Sequence, residues 1–355
     1  MTAVKKVFIA LSAILVWSAI PAASANAVSV GQSCAKTTLG TRVSIRVNKK
    51  PVIVVCRKVA GRKKWIRAAV QTPVTTTTST TSTTTTVPEP VINYAVSVDA
   101  LDPTLRIIAV NGMKPRSFFL NVPASYKAGT PAPLLLAFHG RTATGRDIMT
   151  YSQILSWAAS MNIIVVAVNG AVYEDASSWN AGSCCTNATT YEENDVLLTS
   201  TIIDYLKTLT TIDASRVWAM GHSNGGMMAY RLACDLSEKI TAVAVVAGAL
   251  VDDTCNPTKS VPLIHLHGDL DPTVPYQGGG KFETPNIYYS TLDYSKANTC
   301  DGSPAENLTS TKQQYIWNCK NGSQVQLVNY LENSHQWATG YTEEILNFLF
   351  AHPRK

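Results

Sequence analysis

Gly221-His222-Ser223-Asn224-Gly225 decides how this chain is read. The apolar run Arg216-Val217-Trp218-Ala219-Met220 leads into it, and a stretch with helical spacing, residues 225–233, follows. The pentapeptide therefore sits on the turn between a strand and a helix. A serine on so tight a turn needs neighbours without Cβ atoms so that strand and helix can approach, and its hydroxyl is then held above the sheet. The expectation is a nucleophile elbow with Ser223 at its tip.

Working outward, apolar strand candidates at residues 134–138, 163–168, 217–220, 242–247, 263–266 and 325–330 are separated by helix candidates at 148–159, 196–209, 225–233 and 342–350. Short apolar runs alternating with 3.6-residue periodicity predict an α/β fold, a mostly parallel sheet with helices on both faces. Such sheets place their chemistry in the loops at the carboxyl ends of the strands.

A serine nucleophile of this fold needs an acid and then a histidine, in that chain order. After the strand at 263–266 comes His267-Gly268-Asp269-Leu270-Asp271-Pro272, so Asp271 and Asp269 both stand at a strand end. After the last strand the chain runs Leu331-Glu332-Asn333-Ser334-His335-Gln336-Trp337. His335 is the expected general base: His139, His265 and His267 precede the acid, His222 adjoins the nucleophile and should point elsewhere, and His352 lies in the tail. The oxyanion hole needs backbone N–H donors, expected from Asn224, which follows the nucleophile, and from Arg141 in the turn His139-Gly140-Arg141.

The amino terminus reads as a secretory signal over residues 1–27: Lys5 and Lys6, an apolar run over 7–20, then Ala23-Ser24-Ala25 and Ala25-Asn26-Ala27 as cleavage sites. That run is shorter than the roughly 20 residues a spanning helix needs, so no membrane span is expected in the mature chain. The formal charge of +6 hides a division, since residues 28–71 hold eleven Lys or Arg and no acid, whereas 72–355 hold seventeen against twenty-four acids, a balance of −7. Residues 28–71 predict a small basic β hairpin, with a cationic face suited to an anionic cell-wall polymer. Nucleic acid is not expected as a partner of a secreted chain. Residues 72–91, a run of threonines closed by Pro88-Glu89-Pro90, form a linker, and 92–355 form the large α/β domain. Eight cysteines suit an exported, disulfide-bonded protein. Cys34 with Cys56 and Cys300 with Cys319 are the local pairs. A bond between neighbours is strained, so Cys184 and Cys185 are expected to pair separately with Cys234 and Cys255. Without paired C-x-x-C units, no structural zinc is expected.

The large domain resembles the extracellular polyhydroxybutyrate depolymerase and feruloyl esterase family of the α/β-hydrolase superfamily. The resemblance rests on Phe138-His139-Gly140, Ser178-Trp179-Asn180-Ala181-Gly182 with Cys184-Cys185, Asn194-Asp195-Val196, Gly221-His222-Ser223-Asn224-Gly225-Gly226, His267-Gly268 through Asp271-Pro272 to Val274-Pro275-Tyr276, and Ser334-His335-Gln336-Trp337. It implies Asp271 rather than Asp269 as the acid, and Trp179, Asn180 and Trp337 as residues bordering the substrate. It also implies a secreted serine esterase acting on an ester-bearing polymer or oligomer, without metal or organic cofactor. The alternatives are a serine peptidase of the same fold and a cell-surface binding protein without catalysis. The family has a more glycine- or cysteine-rich run where this chain reads Arg141-Thr142-Ala143-Thr144-Gly145, and commonly a glycine in place of Ser334.

Overall fold

A computed structural model describes residues 92–355, except 175, 185, 186 and 253, together with the strands at 42–47, 50–59 and 62–67. The chain divides into two units, Met1–Thr84 and Thr85–Lys355. In the first, β1 (Arg42–Val47), β2 (Lys50–Val59) and β3 (Arg62–Arg67) form an antiparallel sheet in that order. The expected hairpin thus gains a third strand, which Arg62-Lys63-Lys64 concealed because three consecutive charges break the alternation. The signal segment, the linker and the Cys34–Cys56 pair fall outside the described residues.

The second unit is built on one eleven-stranded sheet. It opens with β4 (Tyr94–Val98), β5 (Leu105–Val110) and β6 (Arg116–Asn121). Then follow β7 (Ala132–Phe138), α1 (Gly145–Ser152), α2 (Ile154–Met161) and β8 (Ile164–Val168). A small ribbon, β9 (Ala171–Tyr173) with β10 (Ala176–Ser178), precedes α3 (Asn187–Thr190) and α4 (Asp195–Leu209). The chain continues through β11 (Ile212–His222), α5 (Asn224–Asp235), β12 (Ala242–Val246), β13 (Leu263–Gly268) and α6 (Ile287–Ala297). It ends with β14 (Ala305–Leu308), β15 (Lys312–Asn318), β16 (Gln324–Tyr330) and α7 (Tyr341–Ala351).

The strand order is β14-β15-β16-β13-β12-β11-β7-β8-β6-β5-β4. The six strands from β16 to β8 pair in parallel, and antiparallel strands extend the sheet at both margins. Each central strand buries both faces, which is why these segments read as unbroken apolar runs. Side chains alternate between two cores. Leu134, Leu136 and Phe138 join Leu198, Ile202, Met228 and Tyr294 from α4, α5 and α6 on one face. Leu135 and Ala137 join Ile148, Ile154, Ile345 and Leu349 from α1, α2 and α7 on the other.

The single helix expected over 148–159 is two helices. Ser152 Oγ bonds back to Ile148 O at 2.5 Å and accepts from Ile154 N at 3.3 Å, and Gln153 takes a left-handed conformation, φ 53°. A side chain that competes with the backbone ladder ends the first helix there. The cysteine expectation is also corrected. Cys234, at the end of α5, bonds to Cys255, with Cα atoms 4.9 Å apart, so neither is available to Cys184 or Cys185. Cys300 bonds to Cys319 as expected.

Candidate active site

Ser223 stands between β11 and α5 with φ 55° and ψ −123°, a strained left-handed backbone for a residue with a side chain. Its N–H donates to Val246 O at 2.8 Å, and its carbonyl accepts from Met227 N at 3.0 Å, so the turn is held from both sides. The flanking glycines are obligatory. A Cβ on Gly221 would lie 2.1 Å from Gly225 O, and one on Gly225 would lie 2.0 Å from Phe138 O.

The acid and the histidine are brought together by another close approach. Gly268 ends β13 so near the following loop that a Cβ there would sit 2.3 Å from Asn333 O. Leu270 N donates to that same carbonyl at 2.9 Å. The loop carrying His335 is thereby pinned to the loop carrying Asp271, and His335 Nδ1 lies 2.7 Å from Asp271 Oδ2. Asp271 Oδ1 accepts from Thr273 N and Val274 N, both at 2.8 Å. Burial opposes ionisation of Asp271, but the hydrogen bonds from His335 and Val274 N–H, with the nearby imidazoles, outweigh it and hold the carboxyl below its ordinary value. A carboxylate with both oxygens engaged fixes the proton of a neutral His335 on Nδ1 and leaves Nε2 free to accept.

Asn224 opens α5, so its N–H has no intrahelical acceptor. In the loop after β7, Thr142 N donates to Ser177 O at 2.8 Å and Ala143 N to Gly140 O at 3.2 Å. The N–H of Arg141 has no partner among the described residues. His139 fixes this loop, accepting from Gly170 N at 2.9 Å through Nε2 and donating through Nδ1 to Gly140 O at 2.7 Å. Burial keeps its imidazole neutral, with the pKa pushed down to about 4. A Cβ on Gly140 would touch Ser223 Cβ at 3.4 Å, so loop and elbow are adjacent.

The residues expected at the substrate border are held by the surrounding structure. Trp179 is fully buried in the core, edge-on to Phe138, with its indole N–H on His139 O at 2.8 Å. Asn180 is bonded through its N–H to Asp195 Oδ2 and through Nδ2 to Glu193 O, both at 2.8 Å, and its carbonyl takes the Arg231 guanidinium. Trp337 is half-buried, with Nε1 bonded to Thr342 Oγ1 at 2.9 Å, and lies 6.4 Å from the His222 ring. His222 was expected to point away, yet its ring lies 5.0 Å from that of His335. Burial, then the charge of His335, push its pKa down to about 3. A cleft of about 680 Å³, lined among others by Lys114, Thr144, Tyr173 and Ser177, opens beside the His139–Thr144 loop; Ser223, Asp271 and His335 do not line it.

The sheet order, the elbow and the acid-histidine pair, in this chain order, define one fold. The chain has the α/β-hydrolase fold. Its residues 131–307 match the phospholipase/carboxylesterase family. It is 28% identical to feruloyl esterase B of Piromyces equi over 237 residues, covering 63% of this chain and 43% of that protein. It is 30% identical to the probable feruloyl esterase C of Aspergillus flavus over 182 residues, covering 50% and 62%. The chain thus spans about half the length of these relatives. Among solved structures, the acetyl xylan esterase from Aspergillus awamori superposes with a TM-score of 0.52 at 16% identity, over 73% of this chain and 99% of that one. This last likeness concerns the fold alone.

Proposed function

We propose that this protein is a secreted serine esterase that cleaves carboxylic esters carried on a polymer or oligomer. The observation that carries the reading is the Asp271–His335 pair at 2.7 Å, with the His335 ring 5.0 Å from that of His222, the residue before a strained Ser223. His335 Nε2 takes the proton of Ser223 Oγ as that oxygen attacks the ester carbonyl. Asp271 holds the tautomer and stabilises the imidazolium, and the N–H groups of Arg141 and Asn224 receive the oxyanion. The C–O bond to the alcohol breaks, and His335 returns the proton to the leaving oxygen. Water, deprotonated by His335, then attacks the acyl-Ser223 carbonyl; the C–Oγ bond breaks, and His335 returns the proton to Ser223 Oγ as the acid leaves.

Esters of the feruloyl or acetyl kind on polysaccharide, and polyhydroxyalkanoate polyesters, are the substrates proposed. The first is supported by the feruloyl esterases among the relatives and the second by the motif resemblance. Export rests on the amino-terminal signal pattern, and among the described residues no helix is long and apolar enough to cross a membrane. The test is labelling by a fluorophosphonate probe, followed by release assays on feruloylated arabinoxylan, acetylated xylan and polyhydroxybutyrate. Labelling that disappears in Ser223→Ala, with acid released from one of these polymers, is the expected result. Hydrolysis of peptide amides alone, or labelling that survives Ser223→Ala, overturns it.

A further inference from the structure

On the inner side of Asp271, away from the bulk of the solvent, lies a row of polar side chains that the proposed reaction does not use. His265 and His267 are two residues apart on β13 and so project from the same face of the sheet, and neither is exposed at all. His267 Nε2 is 2.8 Å from Val274 O and 3.4 Å from Asp271 Oδ2. A carbonyl only accepts, so the proton of a neutral His267 sits on Nε2 and its Nδ1 accepts. His265 Nε2, 3.0 Å from that Nδ1, must donate. His265 Nδ1 then accepts, from Tyr230 Oη at 2.9 Å or Thr291 Oγ1 at 3.3 Å. Thr291 Oγ1, 3.1 Å from Tyr230 Oη, closes the far end, 2.9 Å from Ile287 O.

With the proton of His267 on Nε2, that of His265 lies on its own Nε2, so both imidazole protons point toward Asp271, and a hydroxyl of Tyr230 or Thr291 donates to His265 Nδ1. Burial keeps both imidazoles neutral, with His267 pushed down to about 4 and His265 well below its ordinary value. Val274 is the junction. Its N–H holds Asp271 Oδ1 and its carbonyl is held by His267, so the residue that orients the carboxylate is gripped at both polar groups. At the other end Tyr230 belongs to α5, the helix that directly follows Ser223.

The geometry points to His267 and His265 as positioning residues: with Tyr230 they form a hydrogen-bonded brace that ties the nucleophile's helix to the Asp271–Val274 turn and aims the carboxylate at His335. Neutral donors in a dry setting polarise one another along such a row and favour the anion at its end without adding a second charge. The inference rests on the triad reading above.

The test compares the full-length protein with His267→Phe, His267→Gln and Tyr230→Phe. The readouts are steady-state kinetics on p-nitrophenyl acetate, the melting temperature, and the downfield proton resonance of the His335 Nδ1–H···Asp271 bond. His267→Phe should lower kcat about tenfold or more with KM within about twofold, as expected when a reacting group is slightly misplaced, and should shift the resonance. His267→Gln, which offers Val274 O an amide donor, should recover part of both. Tyr230→Phe keeps the ring and removes only the far hydroxyl, so it should give a smaller fall in kcat with a shift in the same direction. If folded His267→Phe, or Tyr230→Phe should His267→Phe not fold, keeps a wild-type kcat or an unmoved resonance, the brace is packing only and the inference fails. The resonance needs no turnover, whereas retained hydrolysis in Ser223→Ala would instead refute the triad, so the two failures are distinguishable.

Discussion

Trp179 and Asn224 are paired reciprocally: Trp179 N–H donates to Asn224 Oδ1 at 2.8 Å, and Asn224 Nδ2 donates to Trp179 O at 3.4 Å. The Trp179 indole reaches past this pair to His139 O at 2.8 Å. One buried residue therefore links the two segments that supply the proposed oxyanion donors. Trp179→Phe keeps an aromatic ring in the core but removes the bond to His139. The expected result is a fall in kcat of about tenfold, less than the hundredfold or more for deleting an oxyanion donor outright, with KM little changed. Steady-state kinetics on a short acyl ester check it. An unchanged kcat would show that the loop after β7 holds its place without the indole.

Gly268 lies in the densest backbone contact between the acid and histidine loops. Gly268→Ala places its Cβ against Asn333 O, where 2.3 Å is far inside contact distance, so the loops must separate. We expect activity to fall at least a hundredfold, with a loss of stability of about 2 kcal/mol or more from overpacking. Gly302→Ala has nothing within 4 Å and serves as the control, with activity and melting temperature close to wild type.

Ser223 stores backbone strain, which argues for a difference between two inactive variants. Ser223→Ala keeps the strained φ of 55°, whereas glycine tolerates it. Ser223→Gly should therefore be as stable as Ser223→Ala or more so, by about 1 kcal/mol, the low end of the strain such a residue carries after glycine's added chain entropy. Urea unfolding of the two side by side decides it, and a markedly less stable glycine variant would refute the strain.

Acid should unfold the protein through its histidines. His139 and His267 are pushed down to about 4 and His222 to about 3, all chiefly by burial, from an ordinary value of 6.5. Between those values the unfolded chain binds protons that the folded chain does not. Stability is therefore complete above about pH 6.5 and declines as pH falls, by about 1.4 kcal/mol per pH unit for each histidine so affected. Asp271, held below its ordinary value, adds a loss of the same sign at lower pH. Urea midpoints should stay level from pH 7 to 8.5 and drop steeply between pH 6 and 4. A midpoint independent of pH over that lower range would contradict the buried, neutral state of these rings.

The central strands and the elbow were legible because their signals are local. A strand buried on both faces is an apolar run, and Gly221 and Gly225 flank a serine for a steric reason that composition reveals. Chain order pointed to His335 but left Asp269 beside Asp271, and only the family resemblance chose between the two. The marginal strands were not: β14, Ala-Glu-Asn-Leu, is exposed throughout, and β5 mixes buried and exposed residues, so neither presents an apolar pattern. Trp179 was misplaced because a tryptophan lining a pocket and one buried beneath it read alike in sequence. His222 turned toward His335 because the direction of a side chain next to an elbow depends on the turn's dihedrals, which the residue letters do not encode. The brace of His265 and His267 was invisible for a related reason, since a histidine inside an apolar strand declares burial but not its partners.

The contacts that join elbow, acid loop and histidine loop are made by main chain, at points where even a methyl group does not fit. Gly221, Gly225 and Gly268 offer few tolerated substitutions, so this part of the gene is a small target for neutral drift. The segments 171–190 and 277–284 have looser points of this kind, at Gly182 and Gly278, where a Cβ would lie 2.8 Å from Val251 O and 2.7 Å from Asn286 N. Diversification of what the protein recognises can therefore proceed by exchange elsewhere in these two segments while the reactive centre is inherited nearly unchanged, and a library built for altered selectivity gains most by leaving Gly221, Gly225 and Gly268 fixed.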